Sequence, residues 1–348
     1  MKEVLEEKFG TLSDGTEVPL YVLENDLGDK VKLTPYGATL VAWQINENDE
    51  LKDLVLGYDD VASYETNGGF LGATVGPIAN RIAGAEFRIN SKFYRNEKNE
   101  GNNALHSSVI GFSNVIWEVL KLEDHEISFK YILKTDKYPG ELSVVVTYSY
   151  ANDRQLNLDY EFESTEDTYV NLTNHSYFNV RGAGDVDDLF LEINADFYTP
   201  IDDTLMPTGE ILKVEGSDFD LRKLRRLGEL FASNEESIVK NNGLDHNYVL
   251  NKEEVEEFTY AMRLVDKDSK KQIVCFTDRP GIQVYTSNML DPVKGSNNRV
   301  FSNHHAVCME TQFYPDAPNL THFPSPKVLA NTKYSSRTTY LYSDYIEE

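Results

Sequence analysis

The feature that most constrains the fold is a succession of short β-rich segments, separated by turn residues about every ten positions. Two segments, 127–133 and 156–162, alternate regularly between apolar and polar residues, which places every second side chain on one face of a strand. Segment 142–150 is more continuously apolar, as expected for a strand buried on both faces. The 21 tyrosines and 17 phenylalanines also favour strands. Many strands at this spacing predict an all-β sandwich or barrel.

Helical patterns are scarce. A helix of one or two turns is predicted within 59–66, and the best longer candidate is 221–231, where leucines and a phenylalanine recur near helical spacing. No internal repeat, low-complexity tract or Gly/Ser-rich linker divides the chain. Residues 1–348 are therefore predicted to form one continuous β domain.

The charge balance restricts the partners. Acidic residues outnumber basic residues 58 to 33, giving a formal net charge of −25. Nucleic acids and anionic membranes are bound through Lys and Arg, so this balance argues against both. Two cysteines, Cys275 and Cys308, cannot supply a disulfide framework, and no apolar stretch resembles a signal peptide or a membrane span. We therefore expect a cytoplasmic protein with no nucleic-acid or membrane partner.

Glu310 is a candidate acid/base residue. It follows an apolar run and shares a strand face with Cys308 and Gln312, a semi-buried setting. Loss of solvation there should raise the pKa of the carboxyl group, which suits a general base or acid. A structural, salt-bridged glutamate fits the same pattern.

Two histidines are candidate ligand-binding residues. In the segment 169–179, a period of two places Asn171, Thr173 and His175 on one face. Such a polar face suits a hydroxyl-rich ligand, but an ordinary solvent-facing strand would look the same. His106 follows a turn and is open to the same two interpretations.

Arg81 and Asp245 complete the candidate residues. Arg81 is flanked by apolar residues, and a buried arginine must pair with a carboxylate or a ligand. A structural ion pair satisfies that requirement as well as a ligand does. Asp245 follows the turn at 241–243, where an aspartate is commonly a turn or capping residue.

Several other chemistries lack support. There is no phosphate-binding Walker loop, no GxGxxG run and no GxSxG nucleophile elbow. His304 and His305 would make a poor chelating pair, because neighbouring residues of a strand point to opposite faces. Nucleotide and metal sites are therefore disfavoured.

Several short motifs can be read together. The chain contains, in order, Gly76-Pro-Ile-Ala-Asn-Arg-Ile-Ala83, Asn103-Ala-Leu-His106, Leu172-Thr-Asn-His-Ser-Tyr-Phe-Asn179 and Glu310-Thr-Gln-Phe-Tyr-Pro-Asp-Ala-Pro-Asn319. It also contains Tyr198-Thr-Pro-Ile-Asp202, Pro207-Thr-Gly-Glu210, Gly243-Leu-Asp-His-Asn247 and Gly281-Ile-Gln-Val-Tyr-Thr-Ser-Asn288. Together these motifs resemble those of the aldose 1-epimerases, the galactose mutarotase family. The resemblance extends from about Phe9 to about Tyr342.

The resemblance implies a large antiparallel β-sandwich, the galactose mutarotase-like supersandwich, with a few short helices and an open sugar cleft on one sheet. The implied reaction opens and recloses the ring of a free hexose such as galactose or glucose, and it needs no cofactor or metal. The implied general base is Glu310 and the general acid is His175. The remaining motif residues would contact the sugar: Arg81, His106 and Asp245 hold hydroxyls, and Asn80 and Gln283 line the cleft.

Two departures from the family pattern bear on the cleft. Pro77-Ile78 stands where the family often has Arg-Tyr, and Ser107-Ser108 where it often has Gly-Gly. Both are expected to alter the cleft rim, and with it the sugar preference. A bell-shaped pH dependence is expected, with Glu310 deprotonation on the acid limb and His175 on the alkaline limb.

Three alternative functions remain open at this point. A glycoside hydrolase would use Glu310 and Asp245 as a carboxylate pair. A non-catalytic sugar-binding module would bind the sugar without accelerating its reaction. A hexose-6-phosphate epimerase would keep the chemistry but need additional cationic residues. In each case the partner is a small sugar, and we expect a monomer or a weak homodimer.

Overall fold

The computed structural model describes residues 4–347. Within that range the chain is built mostly of β-strands with three short helices, which confirms the all-β prediction. The helices are α1 (Val61–Thr66), α2 (Leu227–Phe231) and α3 (Glu236–Lys240). No helix in this range is long and apolar enough to cross a membrane.

The strands follow one another with short connections. In chain order they are β1 (Leu5–Thr11), β2 (Glu17–Glu24), β3 (Lys30–Thr34), β4 (Thr39–Glu47), β5 (Glu50–Asp53), β6 (Thr74–Val75), β7 (Arg81–Ile82), β8 (Glu86–Ile89), β9 (Lys92–Arg95), β10 (Ala104–Leu105), β11 (Glu118–Glu123), β12 (Glu126–Lys134), β13 (Glu141–Tyr150), β14 (Gln155–Ser164), β15 (Thr168–Tyr169), β16 (Thr173–Asn174), β17 (Tyr177–Phe178), β18 (Phe190–Ile193), β19 (Phe197–Thr199), β20 (Leu212–Lys213), β21 (Arg225–Arg226), β22 (Asp245–Val249), β23 (Thr259–Asp266), β24 (Lys271–Thr277), β25 (Gly281–Tyr285), β26 (Val293–Lys294), β27 (Val300–Phe301), β28 (Val307–Gln312), β29 (Lys327–Val328) and β30 (Tyr334–Asp344).

Three larger antiparallel sheets organise these strands. The first contains β1 to β5 in chain order. The second has nine strands in the order β11-β12-β13-β14-β30-β24-β23-β18-β21, and the third has six in the order β17-β28-β25-β22-β19-β20. The remaining strands form two-stranded ribbons. This arrangement is the antiparallel sandwich implied by the family resemblance.

The nine-stranded and six-stranded sheets pack face to face. On β14 the alternation seen in the sequence matches burial, and on β12 it does so except that Ser128 is also buried and Tyr131 is half-buried. Phe129 and Leu158 are among the side chains in the core. The Tyr340 hydroxyl on β30 donates a hydrogen bond to the Met309 carbonyl on β28 (2.8 Å), and the Tyr340 ring lies 4.6 Å from the Phe178 ring. One continuous hydrophobic core therefore joins the two sheets.

The prediction of two-sided burial for 142–150 is wrong. In β13 every second residue is buried, and the intervening side chains, Val145 among them, are half-exposed. Valine and threonine fit a half-exposed face of a sheet as readily as a buried one, so they do not distinguish the two environments.

The predicted helices are shorter in the structure. Helix α1 is capped by Asp60, whose side chain accepts a hydrogen bond from the Ser63 amide (2.8 Å). The predicted helix at 221–231 is helical only in α2, because Arg225 and Arg226 pair with β18 as an edge strand. Sheet pairing has overridden the helical pattern of the leucines there.

The six-stranded sheet provides the platform for the site. On β28, Val307 and Met309 face the sandwich core, so the alternating residues Cys308 and Glu310 project from the opposite face. Loops and short ribbons cover that opposite face, and every residue of β28 is buried. Polar side chains on this face are therefore held in a largely dry environment.

Candidate active site

A cavity of about 160 Å³ lies over this face of the six-stranded sheet. It is lined by candidate residues from five separate parts of the chain: Arg81, His106, His175, Asp245 and Glu310. Asn80 also lines it. The structure thus brings together side chains that are far apart in the sequence, since residues 81 and 310, which are 229 positions apart, share one cavity.

Glu310 is the most deeply buried of the charged residues in the cavity, with 2% of its surface exposed. Its Oε1 lies 3.6 Å from Nε2 of His175, and its Oε2 has no hydrogen-bond partner. Burial raises the pKa of this carboxyl group well above its usual range, the negative charge of Asp245 raises it further, and Arg81 partly opposes both. The sequence-based expectation of a raised pKa agrees with this direction.

His175 is fixed by its backbone and by its second ring nitrogen. Its amide donates to the Ala73 carbonyl and its carbonyl accepts from the Gly72 amide, each at 2.9 Å. Its Nδ1 lies 3.7 Å from the Cys308 thiol, which leaves Nε2 facing Glu310. Burial lowers the pKa of the imidazole to about 4, so the ring is neutral near pH 7.

The predicted polar face around His175 is only partly present. The segment is broken into the short strands β15, β16 and β17, and His175 lies between the last two. Asn171 does not reach the cavity, because its side chain hydrogen-bonds both the amide and the carbonyl of Phe313. Thr173 is buried and its hydroxyl has no partner. The strict period of two fails because the chain bends at each break.

His106 is held as a neutral hydrogen-bond donor. Its Nδ1 accepts a hydrogen bond from the Asn80 amide (3.2 Å), and an amide can only donate. The proton of the neutral ring is therefore on Nε2. Burial lowers the pKa of His106 well below 6.5, and the neighbouring His175 and Arg81 lower it further.

Arg81 forms the ion pair that the sequence left open as an alternative. Its Nε and Nη2 bond both carboxylate oxygens of Glu100, at 2.6 and 2.9 Å. Its Nη1 lies 3.5 Å from Oδ2 of Asp245. The guanidinium is thereby fixed in the wall of the cavity with two carboxylates beside it.

Gln283 and Asn80 support their neighbours. Gln283 is paired with Glu310 across β25 and β28, and its Nε2 donates to Asp245 Oδ1 (2.7 Å). It is buried beneath the cavity wall, with its Oε1 unpartnered. Asn80 lines the cavity, and its Oδ1 accepts a hydrogen bond from the Arg81 amide (2.8 Å). Both residues therefore orient the groups that face the cavity.

The two departures from the family pattern contact each other. The Ser107 hydroxyl accepts a hydrogen bond from the Ile78 amide and donates one to the Ile78 carbonyl, both at 2.9 Å. Ser107 and Ile78 are both buried. The pair forms a buried brace behind His106, and its effect on the cleft rim stays a prediction.

Several cavity residues were missed by the sequence analysis: Phe70, Glu100, Tyr177, Tyr285 and Met289. Tyr177 and Tyr285 stand within motifs already recognised, so those motifs could have indicated them. Phe70 and Glu100 carry no local signal, because their partners are brought to them only by the fold.

Three of the side chains are close enough to hold a metal ion. The ligand atoms of His106, His175 and Glu310 lie within 4.8 Å of one another. The tautomer of His106 does not suit this, because the proton on Nε2 occupies the position that a metal would need. The arrangement instead presents a donor, an imidazole and a carboxylate to a hydroxyl-rich ligand.

The architecture with this cleft is that of the galactose mutarotase-like β-sandwiches. The GalM/aldose epimerase homologue from C. elegans superposes with a TM-score of 0.87 at 29% identity, covering 94% of this chain and 100% of that chain. Galactose 1-epimerase from Lactobacillus acidophilus NCFM gives a TM-score of 0.86 at 25% identity, covering 99% and 100%.

Sequence comparison gives the family. The sequence model of the aldose 1-epimerase family matches residues 19–341. Galactose mutarotase of Sus scrofa is 36% identical over 350 residues, 99% of either chain, and aldose 1-epimerase of Haemophilus influenzae is 31% identical over 321 residues, 91% of this chain and 92% of its own. The chain belongs to the aldose 1-epimerase family.

Proposed function

We propose that this aldose 1-epimerase interconverts the α and β anomers of free hexoses, galactose and glucose among them, with Glu310 as general base and His175 as general acid. The observation that carries the proposal is the 3.6 Å separation between His175 Nε2 and Glu310 Oε1 in a buried cavity. Ring opening removes a proton from O1 and adds one to O5, and both oxygens are bonded to C1 of the sugar. A base and an acid this close together can reach both.

The reaction then proceeds by two proton transfers. The Glu310 carboxylate takes the proton of the O1 hydroxyl while the His175 imidazolium gives a proton to O5, and the C1–O5 bond breaks to leave an open-chain aldehyde. After rotation about C1–C2, His175 takes the O5 proton, O5 attacks the other face of C1, and Glu310 returns a proton to O1. Each such transfer typically contributes ~10²–10⁴-fold to the rate.

Burial of the pair favours the ring-opened state. Before opening, the reacting form of the pair is a carboxylate and an imidazolium, the less populated arrangement of their one shared proton; after opening, the two groups are a carboxylic acid and a neutral imidazole. The dry cavity raises the pKa of Glu310 and lowers that of His175, so it stabilises the neutral pair. Ring opening from the ion pair is thereby favoured, and the cost of forming the ion pair from the neutral pair is part of the barrier.

The other groups of the cavity would hold the sugar. His106 offers an Nε2–H donor, Asp245 offers carboxylate oxygens, and Arg81 offers Nη1 from a guanidinium fixed by Glu100. Gln283 orients Asp245. Holding the open chain in register matters because misplacement by about 1 Å can cost on the order of 10²-fold in rate.

The deciding experiment is anomer exchange by Glu310→Gln. Polarimetry on freshly dissolved α-galactose or α-glucose should show a fall of at least ~10²-fold for this variant, since one proton transfer is lost, while calorimetry still detects sugar binding. Glu118→Gln, on the exposed face of β11, is the matched control and should keep full activity. Wild-type activity in Glu310→Gln would refute the assignment.

A glycoside hydrolase is not favoured by the geometry. It would require Asp245 as the second catalytic carboxyl group, but Asp245 is engaged by Gln283 and Arg81, and the group next to Glu310 is His175. A chromogenic galactoside or glucoside should release no aglycone. A sugar-binding module is disfavoured for a related reason, since binding alone does not require an acid/base pair in a dry cavity.

A hexose 6-phosphate is disfavoured by the charges. Among the described residues that line the cavity, Arg81 is the one cation, and it is already paired with Glu100 and Asp245. A phosphate dianion there would face several carboxylates with no free positive charge. A side-by-side rate measurement with glucose, galactose, xylose and glucose 6-phosphate should show the phosphorylated sugar as the poorest substrate.

We also propose that residues 1–348 act as one domain, in the cytoplasm, as a monomer or a weak homodimer. Both cysteines are buried free thiols, which is consistent with a reducing compartment. Light scattering over a concentration range tests the oligomeric state, and fractionation of cells tests the location.

A further inference from the structure

Phe70 lies in the wall of the catalytic cavity, against both histidines. Its ring centre is 4.6 Å from that of His106, edge to face, and 5.9 Å from that of His175. The side chain is half-buried and carries no polar atom. It therefore presents an apolar surface beside the two imidazoles.

Phe70 also separates two cavities. A second cavity of about 240 Å³ lies behind it, lined by Tyr36, Tyr58 and Tyr64 among others. The catalytic cavity and this second cavity share Gly69 and Phe70 as a common wall. Removal of the ring would join the two spaces and give a bound sugar room to move away from Glu310.

The backbone holds Phe70 in an unfavourable conformation. Its φ is +56°, a left-handed value that a bulky aromatic residue rarely adopts. The loop is anchored on both sides, because the Gly69 carbonyl accepts a hydrogen bond from the Tyr177 hydroxyl (2.8 Å) and the Phe70 carbonyl accepts one from the Ala73 amide (3.0 Å). Residues kept in such conformations by their surroundings concentrate at functional sites.

The other rings of the cavity are differently committed. Tyr177 is fully buried and its hydroxyl is bound to Gly69. Tyr285 is half-buried, and its hydroxyl accepts the Met289 amide at 3.0 Å. Phe70 is the described cavity ring that combines partial exposure with a wholly apolar edge and face, as an apolar C–H face of a pyranose would need.

We propose that Phe70 is a substrate-contacting residue whose ring closes the histidine side of the cleft and holds both the pyranose and the open-chain aldehyde against Glu310 and His175. This inference rests on the proposed function. It assigns to Phe70 two effects: direct contact with the sugar, and exclusion of water and substrate from the second cavity.

The test compares Phe70→Gly with Phe70→Tyr. Glycine tolerates a φ of +56°, so the first variant removes the ring without imposing backbone strain, whereas the second keeps the ring. For Phe70→Gly we expect kcat/KM for glucose to fall on the order of 10²-fold, with a lower kcat as well as a higher KM, because the aldehyde is held less firmly. Phe70→Tyr should keep most of the rate.

A second readout separates a site role from a merely structural one. Water reaching the imidazoles in Phe70→Gly should move the pKa of His106 and His175, followed by NMR, upward toward that of free histidine. Thr66→Ala, which lines only the second cavity, is the control and should change neither rates nor pKa values. The Glu310→Gln variant keeps Phe70 unchanged. When it is loaded with galactose, it should show NOEs between the Phe70 ring and the C–H protons of the sugar, and this measurement does not depend on the folding of a Phe70 variant.

The outcomes are distinct. Rates for Phe70→Gly within twofold of wild type, equal losses for Phe70→Gly and Phe70→Tyr, or absence of the NOEs would each overturn the inference while leaving the proposed function intact. A wild-type protein that does not accelerate anomer exchange would instead overturn the proposed function, and the inference with it.

Discussion

The nine-stranded sheet and the cavity wall are built by opposite means. In the sheet, β12, β13 and β14 run nine or ten residues each with regular ladders, and the side chains of β13 and β14 alternate in burial. Around the cavity, strands are often two residues long, and Phe70, Asn80 and His106 all have positive φ. The sheet is locally regular, whereas the wall is strained and is held in place from outside.

This difference implies that the stability of the fold and the chemistry of the site depend on different regions of the molecule. The sheet buries large apolar side chains and so supplies much of the favourable free energy of folding. The wall buries charges and polar groups, which cost free energy unless they are paired, and Glu310 Oε2 and Gln283 Oε1 remain unpaired. Changes in the two regions should therefore have different effects, and four experiments test this.

The largest effect on rate is expected from His175→Asn. Loss of the proposed general acid should lower kcat by ~10²–10⁴-fold, as measured by polarimetry. The free energy of unfolding in urea should change little, because His175 contributes few apolar contacts to the core between the sheets. His125→Asn, on an exposed hairpin, is the control. A loss of stability as large as the loss of activity would contradict the separation.

The largest effect on stability is expected from Phe129→Ala. This fully buried ring on β12 packs near the rings of Tyr21 and Tyr148, and its removal should cost about 3–5 kcal/mol in the free energy of unfolding. The folded fraction should keep the wild-type kcat. Phe93→Ala, on the exposed ribbon β8–β9, should cost far less. A large drop in kcat at full folding would show that sheet and wall are coupled.

The pH dependence of kcat/KM should report a pair of groups that share one proton. Burial lowers the pKa of His175 to about 4 and raises that of Glu310, so activity should fall as pH drops toward about 4, where the pair binds a second proton. At high pH activity should fall once the shared proton is lost, above the raised pKa of Glu310. Polarimetry with subtraction of the spontaneous reaction measures this. An acid limb near 6.5 would indicate a solvated imidazole.

A smaller effect is expected from Ser107→Ala. Its hydroxyl serves the buried amide and carbonyl of Ile78, and leaving both unpaired should cost about 1–3 kcal/mol. Ser108→Ala is a close control, because Ser108 also has a positive φ but its hydroxyl has no hydrogen-bond partner among the described residues. Equal stability changes, measured by urea unfolding, would show that the brace contributes nothing.

Much of the sheet could be predicted from the sequence because its signals are local. Alternation in 127–133 and 156–162 indicated both the strands and their buried faces. Burial of the outer face in β13 and the extent of the helix ending at Phe231 could not be predicted, since they depend on what packs or pairs there.

The candidate site was less accessible to prediction. Spacing alone left each candidate open to a structural interpretation, and the family resemblance supplied the roles. Glu100 and Phe70 gave no signal, because the ion pair and the ring contact exist only in three dimensions. The expected assignment of the two pH limbs follows the pKa values of free side chains, whereas burial moves Glu310 and His175 in opposite directions and reverses that order.

The closeness of His175 to Glu310 has a consequence for the catalytic cycle. In the proposed reaction, each of the two groups ends a turnover in the protonation state in which it began, whichever face of the carbonyl is attacked. Nothing has to be exchanged with the surrounding water between turnovers. The rate should therefore be insensitive to buffer concentration and buffer type. Because the reaction breaks no C–H bond, no deuterium from the solvent should be incorporated at the carbon atoms of the sugar.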